Sequence, residues 1–138
     1  MVVDSGPKAM LMADDDAEDC MLAAEAFVES GSGAAFSCVE DGVELMDYLG
    51  ERCRSEKSLP DLILLDLNMP RKDGRKALLE ITSHPVLRRI PIIILTTSKE
   101  EKDVSLTMTA GAKAFITKPA TFDEWVQIMK SLANSWLS

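Results

Sequence analysis

Four apolar runs in this chain each end in side chains able to bind or carry charge. AMLMA (9–13) is followed by Asp14-Asp15-Asp16, LILL (62–65) by Asp66, and IIIL (92–95) by Thr96-Thr97; AFIT (114–117) precedes Lys118-Pro119. Carboxylates brought close together repel, so they need a counter-cation or a raised pKa. Magnesium suits such a group: it is a hard ion, prefers oxygen ligands, and is often held by one or two carboxylates with phosphate and water. A lysine facing the acids would bind a phosphate oxygen as a point charge. A carboxylate that accepts a phosphoryl group becomes an acyl phosphate, a known covalent strategy. The negative charge spread over a transferring phosphoryl group calls for a metal and a cation of this kind.

These groups can act together only if the four runs end on one edge, and the pattern between the runs supplies that arrangement. Residues 17–30 repeat apolar side chains at helical spacing (Cys20, Met21, Ala24, Phe27, Val28) and stop at Gly31 and Gly33. Residues 35–39 form another short strand. Asp41 with Glu44 is a capping box that opens a helix through Leu45, Met46 and Leu49, and 50–60 reads as a longish polar loop. Asn68–Gly74 is a turn, and residues 75–83 are helical up to Pro85. Ser98 with Glu101 makes a second capping box for a helix that stops near Gly111. Thr121 with Glu124 caps a last helix, with Phe122, Trp125, Met129, Leu132 and Trp136 along one stripe. The result is five alternating strand–helix units. Their strands are continuous apolar runs, the mark of a parallel sheet covered on both faces, an α/β fold. Ligands of open parallel sheets bind at the carboxyl ends of the strands, where the acids, hydroxyls and lysine stand.

Composition narrows the class further. At 138 residues the chain fits one domain, and 46% hydrophobic against 28% charged residues is a globular balance. Its net charge of −8 is uneven, with 16 acids against 4 bases in residues 1–66 and 7 against 11 in 67–138. This argues against nonspecific binding to nucleic acid or an anionic membrane and suits a cation or a basic partner. No apolar stretch is long enough to span a bilayer, and no signal peptide is read at the N-terminus. Cys20, Cys38 and Cys53 match neither a disulfide framework nor a zinc site, so they are expected to be small buried apolar residues in a reducing cytoplasm.

The set DDD, LILLDLNMPRKDG, PIIILTTS and FITKP, in this order at successive strand ends, resembles the receiver domain of two-component response regulators. The resemblance covers about residues 8–137, leaving 1–7 as a tail. It implies a flavodoxin-like, doubly wound five-stranded parallel sheet of order 2-1-3-4-5 with helices on both faces. Residue by residue it implies Asp66 as the phosphoacceptor and Asp14 and Asp15 as the acidic pair that holds Mg2+ (or Mn2+). The backbone carbonyl of Asn68 would complete the metal shell. Thr96 matches the hydroxyl that contacts the phosphoryl group, Lys118 the family's lysine, and Phe115 the aromatic that turns inward when Thr96 is drawn to phosphate. Asn68 and Ser98 flank the path of attacking water and are expected to tune the lifetime of the phosphate. Thr97 departs from the family by replacing a smaller residue, which narrows access to the acceptor. The stretch LDLNMPRKDGR, the LTTS strand end, the loop before the third strand and the Trp-Leu ending resemble, more narrowly, the single-domain regulators of phytochrome histidine kinases. That likeness implies a sensor histidine kinase, such as a phytochrome, as partner, a downstream protein the sequence does not name, and a homodimer through the fourth helix, fifth strand and fifth helix. A stand-alone receiver, with no output domain after it, is therefore expected. The implied activity is self-phosphorylation from a phosphohistidine with slow self-dephosphorylation, not turnover of a free substrate.

Simpler readings exist for each residue. Asp14–Asp16 could cap a helix, Asp66 could be a turn residue, Lys118 a solvated lysine, Phe115 plain core, and the basic run 71–76 a solvated turn. His84 is expected to be structural, Asp16 to stay off the metal, and the Trp125/Trp136 stripe to pack the core first and an interface second. Two other functions share the fold class or part of the pattern. A flavin carrier needs a Ser/Thr/Gly-rich phosphate loop after the first strand, where Asp14–Asp16 would repel a flavin phosphate. An aspartyl phosphatase of the haloacid-dehalogenase type matches Asp66-Leu67-Asn68 faintly, but places that pattern after its first strand.

Overall fold

The computed structural model describes residues 8–138; the expected tail, 1–7, lies outside the described residues. Five strands alternate with five helices: β1 (Ala9–Ala13), α1 (Ala17–Glu29), β2 (Ala35–Val39), α2 (Gly42–Arg54), β3 (Leu62–Leu65), α3 (Gly74–Thr82), β4 (Ile92–Thr96), α4 (Glu101–Thr109), β5 (Ala114–Thr117) and α5 (Phe122–Trp136). A 3-10 turn at Leu87–Arg89 precedes β4. All strand pairs are parallel, in the order β2-β1-β3-β4-β5, as the sequence implied.

Successive strand residues point to opposite faces, and in the central strands β1, β3 and β4 both faces are buried. Leu11, Ile63, Leu65, Ile92 and Ile94 pack against Leu45 and Leu49 of α2 and Ala77, Leu78 and Ile81 of α3. Met10, Met12, Leu62, Leu64, Ile93 and Leu95 pack on the other face against α1 and α5 through Phe27, Trp125, Met129 and Leu132. Each such side chain, fully buried, contributes about 1.5–3 kcal/mol from apolar burial. Local chemistry fixes where the helices start. Asp16 accepts from the amides of Glu18 and Asp19, Asp41 from Glu44, Asp73 from Arg75 and Thr121 from Glu124. Gly31, at φ +80°, ends α1 in the left-handed conformation that glycine adopts freely.

Several expectations need correction. α2 runs on to Arg54, so residues 50–54 are helix rather than loop; Gly50 and the polar residues around it hid the continuing turn, in which Cys53 still packs on the core. The Ser98–Glu101 capping box does not form: α4 starts at Glu101 without a side-chain cap, and the Ser98 hydroxyl donates instead to Asp103, 2.6 Å away. The basic run is not merely solvated. Arg71 pairs with Asp41, Lys72 with Glu80, and Arg75 with Asp73 and Asp103. Phe122 is exposed and leaves the core stripe, while Trp125 is only 2% exposed and so is core. His84 is structural as expected, its Nδ1 accepting from the amides of Val86 and Leu87. Cys20 and Cys38 are joined by a disulfide, contrary to the expectation of free thiols; only Cys53 is free among the described residues. Their spacing of 18 residues gave no sign that β2 lies beside β1 and brings Cys38 under the first turns of α1. Among the described residues, no helix is long and apolar enough to cross a membrane.

The turn after β3 depends on Gly74. A Cβ at this position would collide with the carbonyl oxygen of Asp66 and the Cα of Leu67. Backbone cannot swing aside as a side chain can, so Gly74→Ala is expected to lower stability by about 1–3 kcal/mol in chemical denaturation. A loss below about 0.5 kcal/mol, the range of an indifferent surface substitution, would contradict this close approach.

Candidate functional site

The register of β1 with β3 builds the centre of the site. Ala13 pairs with Leu65, so the next residues, Asp14 and Asp66, emerge side by side at the carboxyl edge. β2 and β3 flank β1 on opposite sides, and this is the point where the strand order reverses. Thr96 ends β4 opposite Thr117 of β5, and the amide of Lys118 donates to the Thr96 carbonyl at 2.9 Å. That bond sends the Lys118 side chain from the end of β5 back toward the acids.

Lys118 Nζ lies 2.8 Å from Asp14 Oδ2, 2.7 Å from Asp19 Oδ2 and 3.3 Å from Asp66 Oδ2. Its contacts with Asp19 and Asp66 are hydrogen bonds. The contact with Asp14 is a close ion pair outside hydrogen-bond geometry, so Asp14 Oδ2, buried, has that ion pair and no hydrogen bond. Asp14 Oδ1 accepts from the Asp16 amide at 2.9 Å. Asp14, only 1% exposed, is pushed up to about 6, chiefly because burial strips water from its carboxylate and partly because Asp66 adds like charge; Lys118 opposes both. For Lys118, burial pulls downward, but the carboxylates of Asp14 and Asp19 outweigh it and hold the ammonium above the usual lysine value. The two shifts are compatible because several carboxylates share one ammonium.

Asp14, Asp15 and Asp66 each offer a carboxylate oxygen within 4.8 Å of the others. With the orphaned Oδ2 of Asp14, this set fits a hard divalent cation. Asp16 caps α1, its side chain accepting from the amides of Glu18 and Asp19. Asn68 is exposed, with its amide 3.4 Å from Asp66 Oδ1. Thr96 is fully buried, and Thr97 is exposed. Phe115 is half-buried beside Ile94 on the α2/α3 face. Ser98 is near the edge, yet its hydroxyl is committed to Asp103 rather than free for water.

Sequence reasoning missed two participants. Asp19 reaches Lys118 from the first turn of α1; its only sequence signal is a position five residues past Asp14. Asp103, only 3% exposed, receives two guanidinium hydrogen bonds from Arg75, at 2.7 and 2.8 Å. Those bonds, with the one from Ser98, hold its carboxyl down to about 2. Arg75 also lies 3.5 Å from the Leu67 carbonyl, so one side chain connects the turn after Asp66 to the β4–α4 loop.

The response regulator receiver domain family matches residues 10–130. Response regulator Rcp1 of Synechocystis sp. is 35% identical over 132 residues, covering 95% of this chain and 90% of that protein. The crystal structure of the phosphorylated cyanobacterial phytochrome response regulator RcpA superposes with a TM-score of 0.87 at 39% identity, over 96% of both chains. The Mn2+-bound form of Rcp1 superposes with a TM-score of 0.85 at 33% identity, again over 96% of both chains.

The raised pKa of Asp14 carries a sign. Its ordinary value is 3.8 and its folded value about 6, so the folded state holds this proton more tightly. Metal-free stability from this group is therefore full below about pH 4 and is lost as pH rises through about 6. Replacing Asp14 by Asn removes that penalty. Asp14→Asn is expected to match the native protein near pH 4 and to exceed it by about 1–3 kcal/mol near pH 7.5 without metal. Urea melts of both proteins across this range check it, and a difference that does not grow with pH would contradict it.

Proposed function

The chain belongs to the response regulator receiver family, and on that premise we propose that it is a phosphorylation switch in which Asp66 takes a phosphoryl group from a histidine kinase. The observation that carries the residue assignment is the convergence of Asp14, Asp15, Asp66 and Lys118 at one edge of the sheet. Asp14, Asp15 and Asp66, with the backbone carbonyl of Asn68, would hold Mg2+ or Mn2+, which when bound neutralises the acids and the transferring oxygens. An Asp66 carboxylate oxygen attacks phosphorus in line; the O–P bond forms as the P–N bond to the kinase imidazole breaks, and the imidazole keeps the electron pair. Lys118 pairs with a phosphoryl oxygen and the Thr96 hydroxyl donates to another. Water later attacks the phosphorus of the acyl phosphate; the bond from Asp66 oxygen to phosphorus breaks, inorganic phosphate leaves and the Asp66 carboxylate is restored, with Asn68 and Ser98 setting the rate. For Ser98 to take part, its hydroxyl must leave Asp103, so the Arg75–Asp103 pair governs that step.

The same proposal covers the output. Phosphate binds better to one of two states of the β4–α4 region, and drawing Thr96 toward it lets Phe115 move. The narrower likeness to phytochrome regulators supports a phytochrome-type kinase as the phosphodonor. Val104, Leu106 and Met108 of α4 and Phe122 are exposed, which supports a second copy docking along α4, β5 and α5. Trp125 takes no part in that face, because it is core. A cytoplasmic setting belongs to the same reading.

Incubation with a small phosphodonor and Mg2+ is expected to add one phosphoryl group to the intact mass. The gain should vanish without Mg2+ and in Asp66→Asn, and slow about a hundredfold in Lys118→Ala. Sedimentation of the same samples is expected to show self-association that changes with phosphorylation. Phosphoryl gain that survives Asp66→Asn would remove Asp66 from its role, and a monomer in every state would remove the dimer.

A further inference from the structure

The disulfide between Cys20 and Cys38 closes a ring around the acidic turn. Met12 of β1 pairs in register with Cys38 of β2. From there the chain passes through Asp14, Asp15 and Asp16 and returns at Cys20 to bond Cys38. Strand pairing thus closes one end of the turn and the sulfur bond the other. Cys20 and Cys38, with Asp14, Asp15, Ala17 and Glu40, line one cavity of about 150 Å³. Both cysteines and two of the three cation-fitting aspartates therefore line the same cavity. Both cysteines are half-buried, within reach of small reagents. Cys53 is set apart, packed against the opposite face of the sheet, beside α2 and α3.

We propose that Cys20 and Cys38 form a reversible thiol–disulfide site that sets how tightly the acidic pocket holds a divalent cation. In the oxidising direction the two thiols lose two protons and two electrons and form one sulfur–sulfur bond. A low-molecular-weight disulfide of the glutathione type takes them up, its own sulfur–sulfur bond breaking to two thiols. Reduction by excess thiol runs the exchange backwards, so the site responds to the thiol balance around it. The closed ring holds Asp14 and Asp15 near the arrangement a cation needs. The open ring frees the first turns of α1, and both carboxylates must then be ordered as the ion binds, which weakens binding. The consequence for the cation rests on the divalent-cation reading of Asp14, Asp15 and Asp66, whereas the thiol exchange does not.

The test uses the full chain carrying Cys53→Ser, poised with oxidised glutathione or reduced with dithiothreitol. Thiol blocking and intact mass count the free thiols, and calorimetry gives the Mg2+ affinity of each form. Oxidation is expected to consume both thiols and to tighten Mg2+ binding about threefold or more, as preorganisation of two ligands requires. Adding Cys20→Ser should make the Mg2+ affinity indifferent to the thiol balance. Thiols that stay free under oxidised glutathione overturn the proposal, as does equal or weaker Mg2+ binding by the oxidised form. Equal binding leaves the cation reading standing, whereas paired thiols with no Mg2+ binding in either form bring down both.

Discussion

The site rests on an imbalance of charge: the carboxylates of Asp14, Asp19 and Asp66 share the ammonium of Lys118, and Asp15 adds a further acid beside Asp14 and Asp66. Nothing in sheet packing asks for this. The same hydrophobic core could be closed with neutral residues at the ends of β1 and β3, at lower electrostatic cost. Burial of Asp14, with Oδ2 held by the shared Lys118 ion pair and by no hydrogen bond, makes the cost specific, and its upward pKa shift is the sign that the fold alone does not settle it. A divalent cation and a phosphoryl group meet the two needs of such a place, positive charge for the acids and negative charge for the lysine. The arrangement is unstable alone and poised for partners, as is common where function opposes stability.

A second arrangement, of Arg75, Asp103 and Ser98, ties that site to the surface. Arg75 starts on α3, touches the carbonyl that follows Asp66, and holds the buried Asp103 of α4 through two short hydrogen bonds. Asp103 in turn holds Ser98 in the loop after Thr96. α4 has little apolar anchorage: its buried residues are Asp103 and Thr107, while Val104, Leu106 and Met108 face outward. A helix held by polar contacts to the site's own loops can change position when those loops do, which is what a switch between two states requires.

Much of this was legible in the sequence because fully buried parallel strands read as unbroken apolar runs. β1 and β3 stand within the bounds the runs predicted and β4 runs one residue further, to Thr96, and Asp14, Asp66 and Thr96 each stand at the end of one of these runs. Asp14, Asp66, Thr96 and Lys118 come together because parallel topology sends every strand end to one edge. Contacts formed between distant segments left no such trace. Asp19 looks like an ordinary acid favouring the start of α1, and its partner Lys118 is 99 residues away. Ser98 looked like a cap because capping boxes are local patterns, and the buried Asp103 competes for its hydroxyl from one turn further on. Cys20 and Cys38 became neighbours only through strand register. The end of α2 was obscured by Gly50, whose weak helix propensity is overridden by packing of Leu49 and Cys53 on the core.

The central claim is that the acids at the ends of β1 and β3 form a place built for a divalent cation. Thermal melts of the native chain and Asp66→Asn against Mg2+ concentration test it most directly, because a ligand that binds only the folded state raises stability with its concentration. The account predicts a melting temperature that climbs steadily with Mg2+ for the native chain, at constant ionic strength, and a much flatter response for Asp66→Asn. Identical responses in the two proteins, or none in the native chain, would contradict it.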